Sequence, residues 1–311
     1  MSKILIIGNG FDLNLGLKTS YSDFIKSEQF QNLVKSNNYL AGHLQNIHSD
    51  KNWVDIEHEL KNYGNVTNNQ SQLNLKIGKQ ALMPNERPIK CKADFVELKN
   101  ALMKHLESEI KNSQELNNKI NQASKVLRCG YLKNFNAARF NMLEPYFNEI
   151  LTFNYTNFFD QFFHAQEKKN LKIHHIHGSI DNRDIVFGVE DGTTSSNYSF
   201  LNKSDHAAFG KTKNVSATLI HASEAHFFGC SLGDTDNAHF KRAFKIISTN
   251  ELKHSRIKIY FYVYGKQGYR DIFNRIMALT ENHVSEFKLI NEVTFYDLQE
   301  DKEIDQAWLN E

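Results

Sequence analysis

Residues 3–12 read Lys3-Ile4-Leu5-Ile6-Ile7-Gly8-Asn9-Gly10-Phe11-Asp12. The unbroken apolar run at 4–7 predicts a strand buried on both faces, as in a parallel sheet covered by helices. Two glycines follow at once. Glycine tolerates positive φ and lets another group approach the backbone closely. A buried strand running into Gly8-Asn9-Gly10 therefore predicts the turn that opens a nucleotide site in a doubly wound α/β domain. A tight turn with no ligand is the other reading of the pair, because position 13 is Leu13 and the third glycine of the dinucleotide fingerprint is missing. Asp12 sets a carboxylate where the ligand crevice of such a sheet lies. Gly16 and Thr19-Ser20-Tyr21-Ser22-Asp23-Phe24 come next. Thr19 or Ser20 is predicted to cap a helix starting near Tyr21, and a glycine-rich segment feeding a helix N-terminus is a natural anion cradle.

Further along, residues 28–62 turn helical, with Leu33, Leu40, Leu44 and Ile47 at helix-compatible spacings. Over 53–60, Trp53, Ile56 and Leu60 share one helical face; Asp55 and Glu59 share another, with Glu57 turned away. A solvated acidic helix start is the plain reading of these carboxylates. Residues 62–92 are polar, hold Pro84 and Pro88, and predict a loop. Phe95, Leu98, Leu102, Leu106 and Ile110 form a helical stripe, and a second long helix is predicted over 116–132. Strands are then predicted at 150–155, 173–179, 185–188, 226–234, 257–263 and 293–296, with helices at 157–166, 240–247 and 272–281. Strands alternating with helices favour a mainly parallel sheet. The expectation is an α/β fold: a Rossmann-like nucleotide-binding core from 1–27 and 150–311, with a large all-helical insertion over 28–149. The insertion would be a lid, a partner surface or the cover of one sheet face.

The bulk numbers narrow the class. In 311 residues, 23 Phe and 12 Tyr supply a substantial core. The formal net charge of +1 gives no global field for nucleic acid or an anionic membrane. Cys91, Cys129 and Cys230 are odd in number and far apart, so they build neither a disulfide framework nor a four-cysteine zinc site. No signal-peptide core precedes the first strand, and no run is long enough to span a bilayer. The expected compartment is the reducing cytoplasm.

Four predicted strand ends carry polar residues: Gly8-Asn9-Gly10 with Asp12; Thr152 with Asn154; His177-Gly178; and Gly229-Cys230-Ser231 with Asp234 and Asp236. In a parallel sheet such ends converge on one crevice. A lone buried Asn or His is more often a hydrogen-bonded core residue; four polar ends together point to a site. His177 is the candidate acid/base, since imidazole titrates near neutrality, and Asn154 is suited to orient a water or a hydroxyl. His175 shares strand parity, and so a predicted face, with His177. A cluster of His residues with Asp234, Asp236 and His239 raises the question of a metal, but the spacing matches no standard zinc pattern, so no metal is firmly implied.

These stretches carry a resemblance. Ile6-Ile7-Gly8-Asn9-Gly10-Phe11-Asp12-Leu13, then Gly16-Leu17-Lys18-Thr19-Ser20-Tyr21-Ser22-Asp23-Phe24, resembles the start of the bacteriophage abortive-infection AbiH family. Trp53 with Asp55 and Glu57, Leu151-Thr152-Phe153-Asn154-Tyr155-Thr156, Ile176-His177-Gly178-Ser179 and Gly229-Cys230-Ser231-Leu232-Gly233-Asp234 extend it over most of the chain. A deeper resemblance is to sirtuin-like NAD-consuming antiphage domains. It implies a glycine loop around the NAD phosphates at Gly8, Asn9 and Gly10, a catalytic Asn154 in Thr152-Phe153-Asn154-Tyr155, a catalytic His177 beside Gly178, and a ribose-side turn at Gly229-Cys230-Ser231. Thr156 stands where many such domains have Asp, and three cysteines cannot build the zinc module of the protein deacylases.

The function so implied is hydrolysis of NAD+, as substrate, at the nicotinamide–ribose bond during phage defence. Asn154 and His177 would act on water or ribose, Asp12 would lie at the cleft edge, amides around Gly8 and Gly10 would hold pyrophosphate, and Phe11 and Tyr155 would border nicotinamide. The partners implied are a nucleotide, a homo-oligomer, and a phage-derived or host activator that lifts a restraint. Two other classes stay open. One is a nucleotide-binding or sensing module without turnover. The other is a metal-dependent nuclease or phosphohydrolase using Asp12, Asp55, Glu57, His177, Asp234, Asp236 and His239.

Overall fold

The computed structural model describes residues 2–51, 56–66, 76–77, 80–81, 86–111, 147–157, 171–192, 194–206, 209, 212–233, 236–249, 256–300 and 302–304. In chain order its main elements begin with β1 (Ser2–Ile7), α1 (Gly10–Asn14), α2 (Tyr21–Lys26), α3 (Glu28–Lys35), α4 (Tyr39–Lys51), α5 (Ile56–Val66) and α6 (Glu86–Lys111). They continue with β2 (Glu149–Thr152), β3 (Lys172–His175), α7 (Val215–Ile220), β4 (Ala222–Phe228), α8 (Asn237–Thr249), β5 (Lys258–Val263), α9 (Gly265–Leu279), α10 (Val284–Ile290), β6 (Glu292–Asp297) and β7 (Lys302–Glu303). The fold is α/β with a mainly parallel sheet and a large helical region. The chain divides into two compact units. A sheet unit comprises Met1–Gly16, Gln114–Ile176 and Thr212–Glu311; a helical unit comprises Leu17–Ser113 and His177–Lys211.

The strands of the sheet unit run in the order β3-β2-β1-β4-β5-β6-β7. All pairs are parallel except β6 with β7. The order 3-2-1-4-5-6 is that of the dinucleotide-binding Rossmann sheet, whose switch point falls between strands 1 and 4. Register is held by aromatic side chains on alternate positions. Phe227, Phe261 and Phe295 lie opposite one another on β4, β5 and β6, with ring centroids 4.8 and 5.1 Å apart. A one-residue slip would turn all three to the other face. The same face buries Ile4, Ile6, Leu151 and Ala225 against Phe240, Ala243, Phe244 and Ile247 of α8. Burial of each large apolar side chain contributes roughly 1.5–3 kcal/mol.

In the helical unit, Ser20 caps α2 by a reciprocal capping box with Asp23, and α3 and α4 pack on α6. The predicted stripe on α6 is its core face: Phe95, Leu98, Leu102 and Leu106 are buried. The segment 177–211 joins this unit and not the sheet. Residues 185–188 are no strand, contrary to their apolar run. Ile185, Val186 and Phe187 are buried, and Phe187 stacks on Phe95 with centroids 5.5 Å apart. A 3-10 segment, Ser196–Leu201, follows and contacts α6.

Other elements differ from the sequence reading. The predicted loop at 62–92 is shortened from both ends, because α5 runs to Val66 and α6 starts at Glu86. Pro88 sits in the first turn of α6, where the amide has no intrahelical partner to lose. A short hairpin pairs Lys76–Ile77 with Gln80–Ala81. The helix predicted over 116–132 lies outside the described residues, as does that predicted over 157–166 beyond its first residue, together with Trp53, Asp55 and Cys129. The predicted strand at 173–179 ends at His175 and that at 226–234 ends at Phe228.

Two loops touch backbone to backbone at the switch point. A Cβ on Gly8 would lie 2.5 Å from the Gly229 carbonyl oxygen, and one on Gly229, where φ is +61°, would lie 2.3 Å from the Phe11 amide nitrogen. Gly229→Ala meets both a left-handed penalty and a clash with backbone that cannot move aside. The expected loss is at least ~3 kcal/mol by those principles together. Gly42, inside α4, has open space around it, and Gly42→Ala should gain up to ~1 kcal/mol. Urea unfolding of both variants measures the contrast; an unchanged midpoint for Gly229→Ala would contradict this packing.

Candidate functional site

The glycine loop is positioned by β1. The Gly8 amide donates to the Phe228 carbonyl (3.1 Å), the Gly10 amide to the Gly229 carbonyl (2.9 Å), and the Phe11 amide to the Gly8 carbonyl (2.9 Å). The amides of Gly8 and Gly10, expected to hold pyrophosphate, are thus engaged inside the protein. The glycines are needed where they stand because two backbones meet there. Asn9 is exposed at the start of α1. Phe11 is buried, edge-on to Phe228 at 5.6 Å.

One turn of α1 then brings Asp12 to the ends of β1 and β2. Asp12, Thr152, Asn154 and Thr156 are all buried. Parallel pairing sets Ile7 opposite Thr152. The Phe153 amide donates to the Ile7 carbonyl at 2.8 Å, and the Asn154 amide to Thr152 Oγ1 at 3.2 Å. Asn154 Nδ2 donates to Asp12 Oδ1 at 3.0 Å, and Thr156 Oγ1 donates to Asp12 Oδ2 at 2.6 Å. Burial raises the Asp12 carboxyl from 3.8 to about 6, against the opposing pull of the Thr156 and Asn154 donors. Asn154 Oδ1 is buried with no hydrogen-bond partner among the described residues. A buried orphan acceptor of this kind is satisfied by a bound hydroxyl or water. Tyr155, between the two polar side chains, is partly buried.

His177 and Gly178 belong to the helical unit. β3 stops at His175, so the alternation that would set His175 and His177 on one face does not extend to position 177. The His177 carbonyl accepts from the Val186 amide at 2.7 Å. Asp184 shapes the turn: its Oδ1 accepts from the Ser179 amide at 2.8 Å. Gly178 has φ +70°, and a Cβ there would lie 2.4 Å from the Asp184 carbonyl oxygen. In the sheet unit, His175 Nδ1 lies 3.4 Å from the Asn154 carbonyl oxygen.

The fourth polar end is divided. Cys230 is buried, and burial pushes its thiol up to about 12, so it stays protonated. Ser231 is exposed, the Asp236 amide donates to the Gly233 carbonyl at 3.0 Å, and Asp234 lies outside the described residues. Glu57 is not a solvated helix-start carboxylate. It is buried with Lys203 Nζ at 3.1 Å and accepts from the Tyr21 hydroxyl at 3.1 Å. His239 lies edge-on to Phe153 at 5.5 Å. Among the described residues, no group of three or more His, Cys, Asp or Glu side chains is placed to hold a metal ion. No helix among them is long and apolar enough to cross a membrane.

Sequence reasoning set Thr156 aside as a departure from a pattern, yet it holds Asp12. Its parity with Thr152 and Asn154 was the available signal. Nothing in the sequence paired Glu57 with Lys203, 146 positions on.

The Asp12 geometry fixes the sign of a pH dependence. A carboxyl raised on folding favours the folded state while protonated. That contribution is fully present below about 3.8 and is lost as pH rises through about 6. Asp12→Asn removes the charge. Relative to that variant, the wild type should lose on the order of 3 kcal/mol between pH 4 and pH 7.5, at about 1.4 kcal/mol per pH unit. Urea unfolding of both proteins across that range measures it, and a constant difference would contradict the buried carboxyl.

A model of the bacteriophage abortive infection AbiH family matches residues 4–261. No curated protein and no solved structure matches the chain. The family match spans the glycine loop, the Asp12 network, the His177 turn and the Gly229 turn, and the chain belongs to the bacteriophage abortive infection AbiH family.

Proposed function

We propose that this chain acts in antiphage abortive infection by hydrolysing NAD+ to nicotinamide, ADP-ribose and a proton. The observation that supports this most is the buried Asp12–Asn154–Thr156 network at the strand ends of a sheet with dinucleotide-binding order. Nicotinamide departs as a neutral base, so the demand on the protein is to hold the ribose, stabilise its developing positive charge and deliver water. The Asn154 carbonyl oxygen is an acceptor for a ribose hydroxyl or the attacking water. A buried carboxylate at Asp12 favours positive charge nearby, and low dielectric strengthens that effect. The Gly8 and Gly10 amides are engaged elsewhere, so this reading gives them a packing role and not a phosphate-binding one. The role of His177 as proton acceptor or ribose ligand comes from the sequence resemblance and is tested by its own variant.

The test is incubation of the purified chain with NAD+, alone and with extract of phage-infected cells, resolving nicotinamide, ADP-ribose and NAD+ over time. Wild type should release nicotinamide and ADP-ribose in equal amounts. Asn154→Ala and His177→Ala should each lose ~10²-fold or more in rate, the range for a positioned proton-transfer or water-orienting group. Intact NAD+ in both wild-type samples, or equal cleavage by the two variants and wild type, would overturn the proposal. Retained NAD+ binding without cleavage would identify a sensing module.

A further inference from the structure

We propose that Asp12 is a positioning residue, held by Thr156, whose carboxylate sets the Asn154 carboxamide so that its carbonyl oxygen is the group offered to the substrate. This deepens the NAD+ reading and rests on it for the identity of the substrate.

An ionised carboxylate only accepts, and a carboxamide has a donating and an accepting end. Asp12 Oδ1 lies 3.0 Å from Asn154 Nδ2. Turning the amide over would bring two oxygens to that separation and exchange a charge-assisted hydrogen bond, roughly twice as strong as a neutral one, for a repulsion. Asp12 therefore selects one of two amide orientations, and the selected one leaves Oδ1 as the orphan acceptor. Thr156 completes the device by donating its single hydroxyl proton to Asp12 Oδ2 at 2.6 Å, which fixes the carboxylate plane. Both oxygens of Asp12 are engaged by Asn154 and Thr156, whereas Asn154 Oδ1 has no partner among the described residues, so Asp12 acts through Asn154.

The test reads Asn154 directly. The side-chain amide resonance of Asn154, assigned by its loss in Asn154→Ala, is followed by NMR from pH 5 to 8 in wild type, Thr156→Val, Thr156→Ser and Asp12→Asn. NAD+ turnover of the same proteins is split into kcat and KM. Wild type should show the Asn154 amide titrating with a midpoint near pH 6, and Asp12→Asn should abolish that titration. Thr156→Val should move the midpoint and lower kcat about tenfold with KM unchanged, and Thr156→Ser should restore both. An Asn154 side-chain amide resonance the same in Asp12→Asn as in wild type overturns the positioning role. So does full kcat in Thr156→Val. If the amide titrates as described and NAD+ stays intact, the positioning role is supported and the NAD+ reading alone fails.

Discussion

The sheet unit depends on a contact between two stretches of main chain. At the point where the strand order reverses, the loop after β1 lies directly on the loop after β4, with Gly8 and Gly10 against Gly229. No side chain fits there. A dinucleotide fold usually keeps this place open so that a phosphate can approach glycine amides; here the amides find carbonyl partners across the switch. The closed pair of loops fixes where α1 begins, and so where Asp12 stands relative to β2. The polar network follows from that placement: Asn154 and Thr156, two residues apart beyond the end of β2, reach the two oxygens of one carboxylate.

That network carries an energetic tension. Burying a carboxylate is unfavourable, and two neutral donors offset only part of the penalty. A more stable domain would place an amide or an apolar residue at position 12. The positioning role proposed for Asp12 would account for an acid kept there at that cost. Cys230 shows the opposite case: burial keeps its thiol protonated and inert beside the same switch.

Much of this was legible in the sequence where local chemistry decides structure. The run at 4–7 followed by Gly8-Asn9-Gly10 identified β1 and its turn, the capping pair Thr19-Ser20 identified the start of α2, and the apolar stripe on α6 identified its buried face. The reading failed where tertiary partners override the local pattern. Residues 185–187 have the composition of a strand but bury themselves on α6. At Gly8 and Gly10, sequence does not show that their amides bond across to the Phe228 and Gly229 carbonyls. Asp12 and Asn154 were singled out separately, but their pairing across 142 positions, and the part of Thr156 in it, needed the register of β1 with β2. Glu57 looked solvent-facing because its partner, Lys203, lies in a distant polar stretch with no period.

That last pair has a consequence for how the chain can drift. Glu57 and Lys203 are both sealed from solvent. Losing either alone would break a buried ion pair, a change on the order of 3–5 kcal/mol, whereas replacing both with well-packed apolar residues can be neutral. The two positions are therefore separated from any uncharged alternative by a valley that single substitutions cannot easily cross. In related chains they should change together or not at all, and α5 and the segment around residue 203 should be inherited as one block.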